Sequence, residues 1–148
     1  MTIWFEGTSE ISCTPREVGE AFRDPGHAYA AIVGFMPGMT SVELVDQGAD
    51  WLTIKTNEGL MKRTNVATDI SDDSIVVEFD EEYQAGSRMT ITSHMRSDFV
   101  PSSDGVAHHL VISDLVAPGL LGFFYRRFGS SKMGKAFLAS HQAHFETN

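Results

Sequence analysis

The sequence predicts an α+β fold in which an antiparallel sheet curls around one long C-terminal helix. Three observations lead to this prediction. Two capped helix starts follow the first strand early in the 148-residue chain. Glycines then divide the middle of the chain into strand-like segments, which is typical of an antiparallel meander. The end of the chain repeats apolar side chains at helical spacing, so this helix is expected to pack on one face of the sheet.

The first elements follow from alternation and from helix-capping residues. Polar and apolar residues alternate over about the first eleven positions, which predicts a strand. Thr14 and Glu17 form a capping box around Pro15, and proline is well suited to the first position of a helix. A second start at Asp24 and Pro25 limits the first helix to a short segment.

A run of strands and one helix complete the chain. The strands are predicted near 40–47, 51–57, 60–70, 74–81, 87–99 and 106–115. The last helix is expected to begin at Pro118, to kink near Gly129 and to continue to Phe145. No repeat, linker or low-complexity tract divides the sequence, so we expect residues 1–148 to form one domain.

Composition excludes several classes of protein. The formal net charge of −9 argues against a nucleic-acid binder and against attachment to an anionic membrane surface. Cys13 is the single cysteine, so the chain can form no internal disulfide and no cysteine cluster. The N-terminus does not resemble a signal peptide, and no apolar run is long enough to span a membrane. We therefore expect a soluble cytoplasmic protein without membrane insertion.

Three stretches carry a resemblance to a known superfamily. They are "FEGTSEISCTPREVGEAFRDP", "MPGMTSVELVDQG" and "LVAPGLLGFFYRRFG". In order and spacing, they resemble the START-like, Bet v 1-like superfamily, also called SRPBCC or polyketide cyclase/dehydrase-like proteins. The resemblance implies a helix-grip fold, in which a seven-stranded antiparallel sheet grips the C-terminal helix around an apolar cavity. Members bind lipids, sterols, polyketides, quinones or plant hormones; some are cyclases or aromatases, and others act on partner proteins.

One strand carries a polar row with the residue types of a catalytic site. In "ITSHMRSDF", His94, Arg96 and Asp98 fall at every second position. Side chains alternate across a sheet, and the interleaved positions are largely apolar, so those should face the helix. The polar row, which extends back to Arg88, should then face water. We interpret it as a solvated face, an assignment that only a bulge would reverse.

The apolar side of the same strand predicts a ligand cavity. Its methionines would provide an adaptable lining, with one serine hydroxyl among them. A filled core is the alternative, because apolar stripes are usually core. The residues expected to line the cavity are Tyr29, Val77, Phe79, Met89, Ile91, Ser93, Met95, Leu110, Ile112 and Phe124.

The strand "VAHHLVISDLV" can be placed in two phases. We favour the phase that turns Leu110 and Ile112 inward, because they are the larger apolar pair; the other phase turns in His109 and Val111. The favoured phase would bring Asp114 toward the cavity, where a buried carboxyl has a raised pKa and can act as a general acid or base. The alternative leaves Asp114 near solvent at the end of the strand.

The histidines raise the question of a metal site. His141 and His144 are three residues apart on a helix and could share a metal ion. His108 and His109 are adjacent on a strand and point in opposite directions, so at most one of them could join. The sequence contains no metal-binding signature, and we predict neither a metal site nor a cofactor.

Three classes of function fit these features. We favour binding or transport of a hydrophobic small molecule, such as a lipid, a polyketide or an aromatic compound. The second class is a cyclase or aromatase-type enzyme, whose acid–base groups would come from Asp114, Tyr29, Arg63, His108 or His141. The third is a protein-interaction module, which would require an exposed apolar or strongly charged patch. The sequence leaves open the ligand, any reaction and a homodimer.

Overall fold

The computed structural model describes residues 1–84, 86 and 89–147, and its elements follow the predicted order. They are β1 (Ile3–Ile11), α1 (Pro15–Ala21), α2 (Pro25–Val33), β2 (Val42–Gln47), β3 (Leu52–Thr56), β4 (Leu60–Ile70), β5 (Ile75–Gln84), β6 (Thr90–Ser102), β7 (Gly105–Val116), α3 (Gly119–Phe128) and α4 (Ser130–Glu146). Across the described residues the seven strands form one antiparallel sheet in the order β1-β7-β6-β5-β4-β3-β2. The predicted α+β architecture is confirmed.

The two short helices begin at the caps that the sequence predicts. The Glu17 backbone N–H donates to Thr14 Oγ1 at 3.2 Å, and Pro15 occupies the first turn of α1. The His27 backbone N–H donates to Asp24 Oδ1 at 3.3 Å at the start of α2. A helix leaves its first N–H groups without partners, and these side chains satisfy them. Each cap typically contributes about 1 kcal/mol to stability.

The C-terminal helix is interrupted at Gly129, where a kink was predicted. α4 packs along β1 and α2, whereas α3 contacts β7, α4 and the Trp4 side chain of β1. Gly134 permits the close approach of α4 to β1, because a Cβ at this position would lie 2.2 Å from the Phe5 ring. In the described part of the chain, no helix is long and apolar enough to cross a membrane.

The core lies between the helices and the face of the sheet that α4 covers, which we call the inner face. β5 and β6 alternate strictly, so that Ile75, Val77 and Phe79 are buried opposite Phe99 and Met95. Burying one such side chain contributes about 1.5–3 kcal/mol relative to leaving it in water. The alternation therefore fixes which face of each strand is inner.

A bulge in β7 reverses part of the predicted alternation. His108, Leu110 and Ile112 point inward as expected. β7 then contains one extra residue opposite β6, and Asp114 adopts a left-handed backbone with φ of 54°. The extra residue turns the Asp114 side chain out to solvent, where its Oδ1 accepts the Thr2 backbone N–H at 2.9 Å. The prediction that Asp114 approaches the cavity is wrong.

Candidate functional site

A cavity of about 480 Å³ lies between the inner face of the sheet and α4. This volume falls within the range of small-molecule sites, about 300–1,000 Å³. Five strands, the segment after α2, α4 and one side chain of α3 contribute to its wall. The apolar lining comes from Trp4, Met36, Pro37, Met39, Met61, Ile91, Met95, Ile112, Leu115, Met133, Ala136 and Phe137.

Methionines give the cavity its chemical character. Met36 and Met39 come from the segment after α2, Met61 from β4, Met95 from β6 and Met133 from α4. The thioether side chain is flexible and polarizable, so a wall built from methionines can adapt to ligands of different shape. Facing methionines on several elements therefore favour a binding site of broad apolar specificity.

A few polar groups interrupt this lining. Glu81 and Ser93 are paired neighbours on β5 and β6, and both are buried. The Tyr83 hydroxyl donates to Glu58 at another part of the wall. Lys132 and Lys135 belong to the exposed side of α4 and complete the polar set together with Tyr125. Polar groups in a largely apolar wall can orient a ligand, while the apolar surface provides most of the contact.

A buried ion pair joins the cavity lining to the core. Arg63, 2% exposed, places both Nε and Nη2 at 2.8 Å from Glu81 Oε2. The guanidinium carbon lies 4.4 Å from the centroids of the Tyr29 and Phe79 rings, which contact each other edge to face. Desolvating two charges is costly, and the close geometry and the aromatic rings offset that cost. The pair brings the Glu81 carboxylate to the cavity surface.

Burial suppresses ionisation of the tyrosines near the cavity. Desolvation raises the pKa of Tyr125, and the charges of Glu81 and Glu58 raise it further. Desolvation and the hydrogen bond to Glu58 likewise raise the pKa of Tyr83. Both phenols therefore remain protonated at neutral pH and can act as hydrogen-bond donors. Tyr125 is positioned by stacking on Trp4, with ring centroids 5.2 Å apart.

A pair of buried histidines lies deeper in the core. The His108 and His141 rings are tilted against each other with centroids 4.6 Å apart, and His108 also stacks on Phe99 at 4.3 Å. His141 Nδ1 lies 2.6 Å from the Phe137 carbonyl oxygen, so Nδ1 donates the proton and Nε2 is left as an acceptor. Desolvation lowers the pKa of His141 to about 4 and lowers the pKa of His108 well below its ordinary value.

The predicted cavity residues divide into two layers. Ile91, Ser93, Met95 and Ile112 line the 480 Å³ cavity. Tyr29, Phe79 and Leu110 instead surround a second cavity of about 10 Å³, which Arg63, Ser97 and His141 also line. A space of that size is at the lower limit for a single water molecule. Met95 and Phe137 contribute to both cavities and separate them.

Three predicted cavity residues lie elsewhere. Val77 is completely buried in the core and does not line the cavity. Met89 precedes the first residue of β6, so the alternation of that strand does not govern its side chain. Phe124 is 50% exposed, because the break at Gly129 makes α3 a separate helix that does not follow the packing of α4.

The polar row of β6 lies on the outer face, as the alternation predicted. His94 Nε2 is 2.6 Å from Glu78 Oε2, and His94 Nδ1 is 2.8 Å from Asp80 Oδ1. Burial, the largest single influence, lowers the pKa of His94, but the hydrogen bonds and charges of the two carboxylates together raise it. Arg96 Nε donates to Asp98 Oδ1 at 2.9 Å. Arg88, assigned to the same row, lies outside the described residues.

Within the described part of the chain, the remaining titratable residues form no metal centre. Among the described residues, no group of three or more His, Cys, Asp or Glu side chains is arranged to hold a metal ion. His141 is buried with its Nδ1 on a carbonyl, and the outer-face His109 Nε2 lies 2.7 Å from Glu6 Oε2.

Sequence reasoning missed several wall residues. Glu81 continues the inward positions Ile75, Val77 and Phe79 of β5, so extending the alternation by one step would have found it. Trp4 reaches the cavity because β1 contains an irregularity between Ile3 and Phe5, a feature without a clear sequence signal.

Comparisons with known proteins identify the fold. The sequence matches no protein-family model and no curated protein. A START superfamily protein from Mycobacterium smegmatis has a similar structure, with a TM-score of 0.62 at 12% identity over 96% of each chain. A STAR-related lipid transfer protein from Xanthomonas axonopodis has a TM-score of 0.62 at 14% identity, covering 95% of this chain and 84% of that one.

A human protein domain has the same architecture. The lipid transfer and protein localization domain of human StarD13 has a TM-score of 0.58 at 12% identity, over 97% of this chain and 77% of that one. Likeness at such low identity shows the fold and carries no activity with it. The chain has a START-like (SRPBCC) fold of the α+β helix-grip class.

Proposed function

We propose that the protein binds a hydrophobic small molecule in the 480 Å³ cavity. The observation that carries this proposal is a cavity wall with twelve apolar residues, five of them methionines, and seven polar ones. Removing apolar ligand surface from water at such a wall favours binding by roughly 25 cal/mol per Å², before the costs of ordering the ligand. Carriage or storage of a lipid, polyketide or aromatic compound would follow from this binding.

The polar groups indicate where the ligand would be oriented. Glu81 presents a carboxylate oxygen inside the cavity, and its contacts with Arg63 both end on Oε2, so Oε1 takes no part in either contact. A hydroxyl or other hydrogen-bond donor on the ligand would suit this position. Lys132 and Lys135 would accommodate an acidic group at the exposed end. We therefore favour an amphipathic ligand with a predominantly apolar body.

The lipid-transfer proteins with this fold support the proposal. Two of the similar structures are described as lipid transfer proteins or domains. The cyclase alternative would need convergent acid–base groups in the cavity. Asp114 lies on the outer face, and His108 and His141 lie behind the wall, outside the lining of the main cavity. The acid–base residues that the sequence suggested for the cyclase alternative therefore lie outside the lining of this cavity.

Filling the cavity from α4 should abolish ligand binding. Ala136 is half-buried and lines the cavity, so Ala136→Trp would place an indole in the space that the ligand needs. Binding of Nile red, measured by its fluorescence in an apolar environment, is expected to weaken at least about tenfold. The free energy of unfolding should change by less than about 1 kcal/mol, because an open cavity accommodates the ring without the cost of overpacking.

Ala139→Trp is the matched control, since Ala139 lies on the exposed side of the same helix. This variant should leave Nile red affinity within about twofold. Equal affinity in the parent and Ala136→Trp proteins would place the dye on the surface and contradict the proposal. Loss of more than about 3 kcal/mol of stability in Ala136→Trp would mean that the space is too small for a ligand.

A further inference from the structure

α3 exposes large apolar side chains to an unusual degree. Leu120 is 73% exposed and Phe128 is 68% exposed; Leu121, Phe123 and Phe124 are each about half exposed. The three phenylalanines form a chain of ring contacts, with centroids 5.6 and 6.2 Å apart. Scattered exposed apolar residues are ordinary, but a contiguous patch on one helix usually marks an interaction surface.

The apolar residues occupy the side of α3 that faces away from the protein. With 3.6 residues per turn, Leu120, Leu121, Phe124 and Phe128 fall within an arc of about 100°. Residues on the back and on one flank of the helix hold it in place. A Cβ on Gly122 would lie 2.0 Å from the Ala117 carbonyl oxygen, and Tyr125 stacks on Trp4. α3 is therefore anchored along one side and presents a convex apolar ridge on the other.

The chain segment that carries this ridge is basic, although the protein as a whole is acidic. Residues 115–145 contain four Lys or Arg residues and no Asp or Glu. Arg126, Arg127, Lys132 and Lys135 are all exposed. The net charge of −9 argued against an anionic membrane surface. At physiological salt, however, charges more than about 8 Å from a surface are largely screened, so the charges close to α3 matter most; they include these four cations and, beside Tyr125, the carboxylates of Glu58 and Glu81.

We propose that α3 docks the protein on an anionic lipid bilayer, with the apolar ridge in the interface and the four cations at the headgroups. A short helix with aromatic and leucine side chains beside basic residues has the composition of an interfacial helix. Basic residues near the surface add to the attraction of anionic lipids.

The charge distribution disfavours a second copy as the occupant of the ridge. A two-fold dimer through α3 would bring the same cations of both copies together, because such an interface is self-complementary. The ridge also adjoins the cavity, since Tyr125, Lys132 and Lys135 line it. Docking through α3 would therefore bring the lysine side of the cavity wall near the lipid. The proposal goes beyond ligand binding in the cavity and does not depend on it.

Vesicle sedimentation tests the docking surface. The full chain should co-sediment with phosphatidylcholine vesicles that contain about 30% phosphatidylserine, and binding should weaken in high salt and on pure phosphatidylcholine. The double variant Phe124→Ser/Phe128→Ser should bind at least about tenfold more weakly. Arg126→Gln/Arg127→Gln should lose a similar factor on anionic vesicles.

Matched controls introduce serine or glutamine at exposed positions outside α3, on strands and on α1. Val45→Ser/Val100→Ser removes exposed apolar side chains elsewhere, and Arg16→Gln/Lys55→Gln removes exposed cations elsewhere. Both controls should bind vesicles like the parent protein. No binding by the parent, or equal loss in the controls, would overturn the proposal. So would a dimer, detected by sedimentation velocity, that the phenylalanine variant dissociates while vesicle binding is absent. The residues replaced on α3 lie outside the cavity lining, so these outcomes are separate from the Nile red result.

Discussion

Replacing Arg63 with methionine is expected to lower the free energy of unfolding by about 3–5 kcal/mol, because it leaves the Glu81 carboxylate buried without its partner. Arg63 and Glu81 side chains are 2% and 5% exposed, so water cannot take over the interaction. The substitution also removes the guanidinium that packs against the rings of Tyr29 and Phe79. Urea denaturation followed by circular dichroism gives the difference, provided that the denaturant slope is unchanged.

The double variant Arg63→Met/Glu81→Met separates charge from packing. With both charges removed, most of the lost stability should return, since a buried ion pair can often be replaced by apolar side chains of similar volume. The exposed pair Arg16 and Glu20 is the control, and Arg16→Met should cost less than about 1 kcal/mol. An Arg63→Met variant that loses less than about 1 kcal/mol would contradict the assignment of a buried ion pair.

Acidification is expected to destabilise the protein through the buried histidines. In the folded state the pKa of His141 is lowered to about 4 from an ordinary value of 6.5, and His108 shifts in the same direction. The unfolded chain therefore takes up protons first as the pH falls. Stability is fully present above pH 6.5 and is lost between pH 6.5 and about 4. At about 1.36 kcal/mol per pH unit, His141 alone accounts for about 3 kcal/mol.

His94 changes stability in the opposite direction and at higher pH, from its ordinary pKa of 6.5 upward. Its folded-state pKa is raised, so its contribution is fully present at low pH and is lost as the pH rises through that pKa. The net acid destabilisation is therefore smaller than the sum for the two buried histidines. The free energy of unfolding of the parent protein should be lower at pH 5 than at pH 7.5. The variant His108→Gln/His141→Gln should show a smaller difference between the two pH values. His27→Gln, an exposed replacement, is the control. Equal stability of the parent at both pH values would contradict this account.

Local sequence signals predicted most of the fold. Proline and the capping residues Thr14 and Asp24 fixed both early helices, and strict alternation fixed the inner face of β6. These features depend on neighbours in the chain, so the sequence displays them directly. The break at Gly129 was also visible, because glycine weakens a helix wherever it occurs.

The cavity lining could be predicted only in part, because it depends on features that the alternation of polar and apolar residues does not show. The bulge in β7 turned Asp114 outward, and the irregularity in β1 brought Trp4 inward. A bulge shifts every later side chain to the other face, so one missed residue changes the site. Arg63 and Glu81 sit on inward positions of two strands, but their pairing requires the register of β4 against β5. The orientation of α3 depends on its tertiary contacts, which local periodicity does not contain.

The most direct test of ligand binding uses Trp4 as a reporter inside the cavity wall. The chain contains two tryptophans, and Trp51 does not line the cavity, so Trp51→Phe leaves Trp4 as the single source of indole fluorescence. A dibrominated stearate quenches an indole only at short range. Titration of the Trp51→Phe protein with this fatty acid, below its micelle concentration, should quench Trp4 with saturation at about one molecule per chain. Unquenched Trp4 fluorescence with a bound fatty acid, or no binding at all, would contradict the proposal that the cavity holds the ligand.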